Sequence, residues 1–287
     1  MKSLISRIIL SEEFQLTIWA GLMRRIINYS SGLYRYSPMF LLDSQAIERP
    51  HYAYCMLNAA LLGKLLGHSR ISALEFGVAG GNGFNFMCKF ANEVERLTGV
   101  AVECYGFDTG EGMPPPQDKR DLPYWFKEKQ YTMDMQALAK QGLNKNLIIG
   151  DIKNTIPSFL DSHNPPPIGA IFNDLDYWSS TRDSLRIFEG ATARPENFLP
   201  RLFMYFDDVI GSKAEMYGAY NGQLAAISEF NNLQDATKIH LNQNLLPKSH
   251  IKYRFQIYYA HIFAHPLYEY YMGGLEQDSL EKLLRLK

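Results

Sequence analysis

The amino-acid sequence predicts an α/β chain: a mostly parallel sheet with helices on both faces, preceded by a helical extension. Three observations carry this. From Ile71 onward, short apolar runs alternate with longer stretches at helical spacing, the pattern of βα units. Those runs end in glycine or an acidic residue, which marks the strand ends as turns rather than as continued core. No internal repeat, low-complexity tract or Pro/Gly/Ser linker divides the chain, so residues 71–287 are expected to fold as one unit and residues 1–70 as the extension.

The bulk composition agrees. The 287 residues are 46% hydrophobic and 21% charged, too apolar for a disordered chain and enough for one substantial core. With 29 Lys+Arg against 30 Asp+Glu the formal net charge is -1, so no global field favours nucleic acid or an anionic membrane. Cys55, Cys88 and Cys104 leave an odd thiol under any pairing and lack CxxC spacing, which suits a reducing, cytoplasmic setting. Arg7, Glu12 and Glu13 interrupt the apolar N-terminus well short of the roughly 20 residues of a bilayer span, and neither a span nor a signal peptide is expected.

The elements follow in order. From Ser11, a plausible N-cap, to about Ile27, the residues Phe14, Ile18, Leu22 and Ile26 recur every four positions beside Trp19 and Met23. This amphipathic helix is expected to bury its stripe against the body near the cleft or against a second subunit, as a lid or a homo-oligomer contact. A second helix runs from about His51 to Leu66 and stops near Gly67. Strands are expected at SALEF (72–76), AVECYGF (101–107), NLIIG (146–150), GAIFN (169–173) and RLFMYF (201–206). Helices are expected with Phe86, Phe90 and Val94 on one face, around Thr155 to Asp161, and through SSTRDSLRIFEG (179–190). Asn164 to Pro167 reads as a loop, while KIHL (238–241) and YRFQIYYAHIF (253–263) have strand composition.

Five strand ends carry chemistry. Glu75-Phe76-Gly77-Val78-Ala79-Gly80-Gly81-Asn82-Gly83 joins a strand to a helix, where glycines allow close approach to a nucleotide-like ligand and the helix start offers free N–H groups. A merely tight connection is the other reading. Asp108 ends the next strand, placed to accept hydrogen bonds from ribose hydroxyls or to turn its own loop. Asp151 follows NLIIG as a third contact or another turn. Asp174 and Asp176, two apart, are expected on one face, and Asp207 with Asp208 closes a further strand. Four carboxylates converging on one cleft repel unless they keep protons or bind a hard divalent cation such as magnesium; capping by Asp207 and Asp208 is the alternative.

Taken together, LEFGVAGGNG, YGFDTGEGMP, IFNDLDYWSST and YFDD resemble the macrocin O-methyltransferase family of S-adenosylmethionine-dependent methyltransferases, over about Ala73 to Val209. The resemblance implies a Rossmann-like sheet of the class I methyltransferase fold. It implies that Gly77, Gly81 and Gly83 line the methionine and ribose of S-adenosylmethionine with Glu75 orienting the loop. Asp108 is then on the ribose, Asp151 near the adenine and Asp174 beside the reacting methyl group. It further implies magnesium on Asp176, Asp207 and Asp208, with Asp176 the first candidate general base; should the site hold no metal, His51 or Asp174 is the next candidate for the base. The implied reaction is O-methylation of a hydroxylated sugar or natural-product acceptor.

The sequence departs from the family at Gly110, where Phe is usual, and at Trp178, where Tyr is usual and a larger wall beside the metal is expected. Tyr177 stands where metal-dependent catechol methyltransferases carry a lysine, which argues against a lysine base. His261 and His265 share a face but offer two ligands, too few for zinc. The aromatic loop from Asp121 to Phe126 is expected either to close on a substrate or to pack on the body.

Overall fold

The computed structural model describes residues 12–30, 38–142 and 146–273. Three helices come first: α1 (Glu12–Ser30), α2 (Pro38–Asp43) and α3 (Pro50–Leu65). Then follow β1 (Arg70–Phe76), α4 (Asn82–Thr98), β2 (Ala101–Asp108), α5 (Met135–Lys140), β3 (Leu147–Ile149) and α6 (Ile152–His163). The chain continues through β4 (Ile168–Asn173), α7 (Trp178–Ser184), β5 (Phe198–Phe206), α8 (Gly222–Leu233), β6 (Thr237–Leu241) and β7 (Ile257–Ile262).

The seven strands form one sheet in the order β3-β2-β1-β4-β5-β7-β6. Strands β1 to β5 pair in parallel, and β7 runs antiparallel to both β5 and β6. The chain winds from β1 outward to β3 and then returns to the other side of β1 as β4. A crevice therefore opens at the carboxyl ends of β1 and β4, where the winding reverses.

Both faces of the sheet are covered, which is why β1 and β4 read as near-continuous apolar runs. On one face Ile71, Ala73 and Phe172 pack against Tyr52, Met56 and Ala59 of α3 and Phe84, Met87 and Val94 of α4. On the other, Leu74, Phe76, Ile171 and Met204 meet Ile156 and Phe159 of α6, Phe188 of the 3-10 turn after α7, and Ile227 of α8. Alternate residues of one strand thus feed opposite layers, as the pleat requires.

Two local expectations change, and two open ones are narrowed. The helix expected through residues 179–190 is α only to Ser184 and continues as a 3-10 turn from Leu185 to Gly190. Strand β7 begins at Ile257 because Gln256 N–H closes a turn onto the Tyr253 carbonyl at 3.0 Å. No described residue covers the apolar stripe of α1: Ile18, Leu22, Met23 and Ile26 are exposed among the described residues, while Ile27 is buried. The Ser11 cap and the side chains of Phe14 and Trp19 lie outside the described residues. The aromatic loop after β2 packs on the body, with Leu122 and Phe126 buried against Met113 and Tyr177.

Among the described residues no helix is long and apolar enough to cross a membrane. The three cysteines are free thiols.

Candidate active site

At the end of β1 the glycine loop is packed against its own chain. Glu75 is buried, its Oε1 accepts from the Tyr52 hydroxyl at 2.7 Å, and its Oε2 is buried without a partner. Burial pushes the Glu75 carboxyl up to about 8, against the opposing effect of the Tyr52 hydrogen bond. Gly77 has φ +89°, and a Cβ there would stand 1.8 Å from the Asp174 carbonyl oxygen. A Cβ on Gly83 would stand 2.1 Å from Glu75 Oε1 and 2.6 Å from the Tyr52 hydroxyl. Gly81, at φ +80°, is the residue that turns the loop into α4. Gly77 and Gly83 need glycine because backbone and a buried acid approach too closely for a side chain, and Gly81 because of its left-handed φ and the Leu138 side chain against it.

Asp108 closes that loop. Its Oδ2 accepts from Val78 N–H at 3.0 Å and Ala79 N–H at 2.8 Å, and its Oδ1 accepts from Gly110 N–H at 2.7 Å. The acid turns its own loop while still lining the cleft. Asp151 likewise caps α6 by accepting from Lys153 N–H at 2.9 Å, and it too lines the cleft.

The acids after β4 and β5 are arranged differently. Asp174, Asp207 and Asp208 each place one carboxylate oxygen within 4.8 Å of the others. Asp176 lies beside this group, its N–H donating to Asp208 Oδ2 at 2.9 Å and its backbone at φ +56°. Both Asp174 and Asp176 line the cleft, but β4 ends at Asn173 and a left-handed turn, rather than strand alternation, brings them together. Burial, reinforced by the charges of Asp208 and Asp207, pushes the Asp174 carboxyl well above the usual carboxylate range. Burial and the Asp176 and Asp207 charges do the same to Asp208. Asp176 is pushed up to about 7 by burial and then by Asp174. Protons or a cation must relieve this repulsion.

Several supporting residues carried no sequence signal. Asp207 Oδ1 accepts from the Tyr205 hydroxyl and, at 3.1 Å, from Gln256 Nε2. The fully buried Gln223 donates to Asp208 Oδ2 at 3.1 Å, and its Oε1 accepts from Asp208 N–H at 3.0 Å. The same amide donates to the Asn173 side chain at 3.0 Å, tying the ends of β4 and β5 together. His51 stacks on Tyr205 with ring centroids 4.4 Å apart, and burial lowers its imidazole to about 3. It is neutral at ordinary pH and is not among the cleft-lining residues.

The cleft holds about 380 Å³ and brings Gly77, Asp108, Asp151, Asp174, Asp176, Asp207 and Asp208 into one cavity. Its outer wall is the loop that carries Met113, Phe126 and Tyr131. That loop is pinned by the buried Asp121, which accepts from Ser179 N–H at 2.8 Å and Ser179 Oγ at 2.9 Å. Trp178 is not a wall beside the acids: it is buried on Ala225 and Ala226 under the Arg120 guanidinium, and its indole N–H donates to Glu229. His261 and His265 each have another partner, the Tyr268 hydroxyl at 2.7 Å and the Phe198 carbonyl at 3.1 Å.

No protein-family model matches the sequence, and no curated protein matches it. Solved structures do. The calicheamicin methyltransferase CalS11 superposes over 88% of this chain and 93% of its own at TM-score 0.50 and 18% identity. The fold is that of the class I methyltransferases. The O-methyltransferase NovP covers 86% of this chain and 98% of its own, at TM-score 0.48 and 13% identity. TomG of Streptomyces achromogenes, an O-methyltransferase involved in tomaymycin synthesis and solved with S-adenosylmethionine, covers 88% and 99% at TM-score 0.37 and 13% identity.

Proposed function

We propose that this chain is an S-adenosylmethionine-dependent O-methyltransferase of the macrocin O-methyltransferase type. Its acceptor is a hydroxyl of a sugar or natural-product small molecule, and a divalent cation assists. One observation carries the reading: the Gly77 turn after β1 and a cluster of mutually repelling carboxylates line the same cleft of a class I methyltransferase fold.

The residues fit both groups. Toward S-adenosylmethionine, Gly77 and Ala79 line the cleft wall, Asp108 and Asp151 supply acceptors for ribose and adenine, and Glu75, buried behind that wall, keeps one unpartnered oxygen. Toward the cation, Asp174, Asp207 and Asp208 offer oxygen donors of the kind magnesium prefers, with Asp176 adjoining. A bound cation supplies Lewis acidity that makes an acceptor hydroxyl easier to ionise. Asp176, pushed up to about 7 by burial, can take the proton a hydroxyl must lose, with Asp174, raised by burial and its neighbours, beside it. The loop pinned by Asp121 gives the cleft a fixed wall that orients the acceptor against the cofactor. Residues 71–287 form the catalytic unit, α3 contributes Tyr52 to it, and the exposed stripe of α1 serves a lid or a homo-oligomer contact. The free thiols suit the cytoplasm.

The test is transfer of labelled methyl from S-adenosylmethionine to a panel of hydroxylated glycans and polyketides, with magnesium and with chelator. Transfer to oxygen that the chelator abolishes is the expected outcome. Cofactor binding without transfer would make the chain a ligand-binding domain, and transfer that survives chelation would remove the metal.

A further inference from the structure

Each member of the Asp207–Asp208 pair is gripped by a side-chain amide at one carboxylate oxygen. Asp207 Oδ1 takes Gln256 Nε2 at 3.1 Å as well as the Tyr205 hydroxyl. The same amide donates to the Asp207 carbonyl at 2.9 Å, which fixes the residue at backbone and side chain together. Asp208 Oδ2 takes Gln223 Nε2 at 3.1 Å and Asp176 N–H at 2.9 Å, while Asp208 N–H returns to Gln223 Oε1 at 3.0 Å. These donors engage Oδ1 of Asp207 and Oδ2 of Asp208 and leave the second oxygen of each without them. The two amides come from unrelated places, Gln223 from the first turn of α8 and Gln256 from the turn entering β7.

We propose that Gln223 and Gln256 are positioning residues that present Asp208 and Asp207 as one-oxygen ligands and so bias the site toward a small octahedral cation. The inference rests on the metal reading above. A carboxylate whose one oxygen is already saturated by N–H and O–H donors cannot turn to chelate with both. Calcium accepts bidentate carboxylates and six to eight ligands, whereas magnesium holds near-octahedral geometry at shorter distances. Fixing both acids through one oxygen therefore handicaps calcium more than magnesium. An amide does this without adding charge, where a lysine or arginine would compete with the cation for the pair.

The experiment is Mn2+ binding to the full chain in the presence of S-adenosylhomocysteine, read by electron paramagnetic resonance, with Mg2+ and Ca2+ as competitors. Wild type is compared with Gln256→Met and Gln223→Met, which keep length and remove the donor. Each variant is expected to weaken Mn2+ at least about tenfold and to raise the calcium-to-magnesium affinity ratio at least about threefold, at unchanged S-adenosylhomocysteine affinity. Gln256 lies in a turn and is only half-buried, so its variant carries the test if the buried Gln223→Met does not fold. A wild type that binds no Mn2+ overturns the metal reading and this inference with it. Wild-type Mn2+ binding with an unchanged cation ratio in the variants overturns the positioning role and leaves the metal reading standing.

Discussion

On the β2 side of the crevice Asp108 is met by three backbone N–H groups, while on the β4–β5 side Asp174, Asp176 and Asp208 meet mainly one another. Residue type and address are the same, an aspartate just past or at the end of a parallel strand. The surroundings differ because backbone N–H groups of the glycine loop after β1 and of its own loop meet Asp108, whereas the pair after β5 is met mostly by side chains, those of Tyr205, Gln223 and Gln256, with one backbone N–H from Asp176. One half of the edge is therefore satisfied by the chain itself, and the other keeps a carboxylate repulsion that protons or a cation would relieve. A strand-end acid does not declare its role until its donors are counted.

The largest expected effect falls on the unsatisfied half. Asp174→Asn keeps shape and removes charge, and on the proposed reading it lowers kcat by about a hundred- to ten-thousand-fold while cofactor affinity stays within about threefold. Single-turnover kinetics beside calorimetry separate the two. A parallel loss of both would erase the division between the halves.

Asp108→Ala strikes the satisfied half, where binding should fail first. On the proposed reading, losing charge-assisted bonds to ribose hydroxyls and to its own loop predicts about 2 to 4 kcal/mol, or roughly thirty- to a thousand-fold in cofactor affinity. Equal affinities by calorimetry would confine Asp108 to turning its loop.

Glu75 sharpens the contrast most finely, because it sits in the satisfied half yet keeps an unpartnered oxygen. Its folded value of about 8 lies above the usual 4.5, so the folded chain holds a proton that the unfolded chain has released. Between pH 4.5 and 8 this costs stability as pH rises, at most about 1.4 kcal/mol per pH unit. Ligand-free Glu75→Gln should therefore gain on wild type through that window in denaturant titrations and bind the cofactor more weakly. Parallel pH profiles would show that Glu75 does not titrate there.

What was legible in the sequence follows the same division. Strand ends could be read because apolar runs stop at glycine or acid, and that sufficed for the parallel sheet and for the acids that line the cleft. The partners of those acids could not. Gln223 and Gln256 are separated in sequence from Asp208 and Asp207, and an amide in a helix turn or a loop has no periodicity to betray it. Asp174 and Asp176 were paired by a strand alternation that does not exist, since the chain leaves β4 at Asn173. Trp178 was placed beside the acids by position in a motif, whereas an Arg120 guanidinium and the small residues of α8 give it a better bed.

The reversed direction of β7 has a consequence for how the molecule comes into being. A parallel strand would deliver its far end to the crevice, but β7 delivers its beginning, so Gln256 arrives beside Asp207. During synthesis the glycine loop, Asp108 and all four aspartates of β4 and β5 leave the ribosome long before residue 256. A nascent chain can thus assemble the nucleotide half of the cleft early, while Asp207 waits for the final hairpin to lock it. On the proposed reading, ribosome-bound chains stopped before residue 250 should capture cofactor while Asp207 still lacks its Gln256 partner.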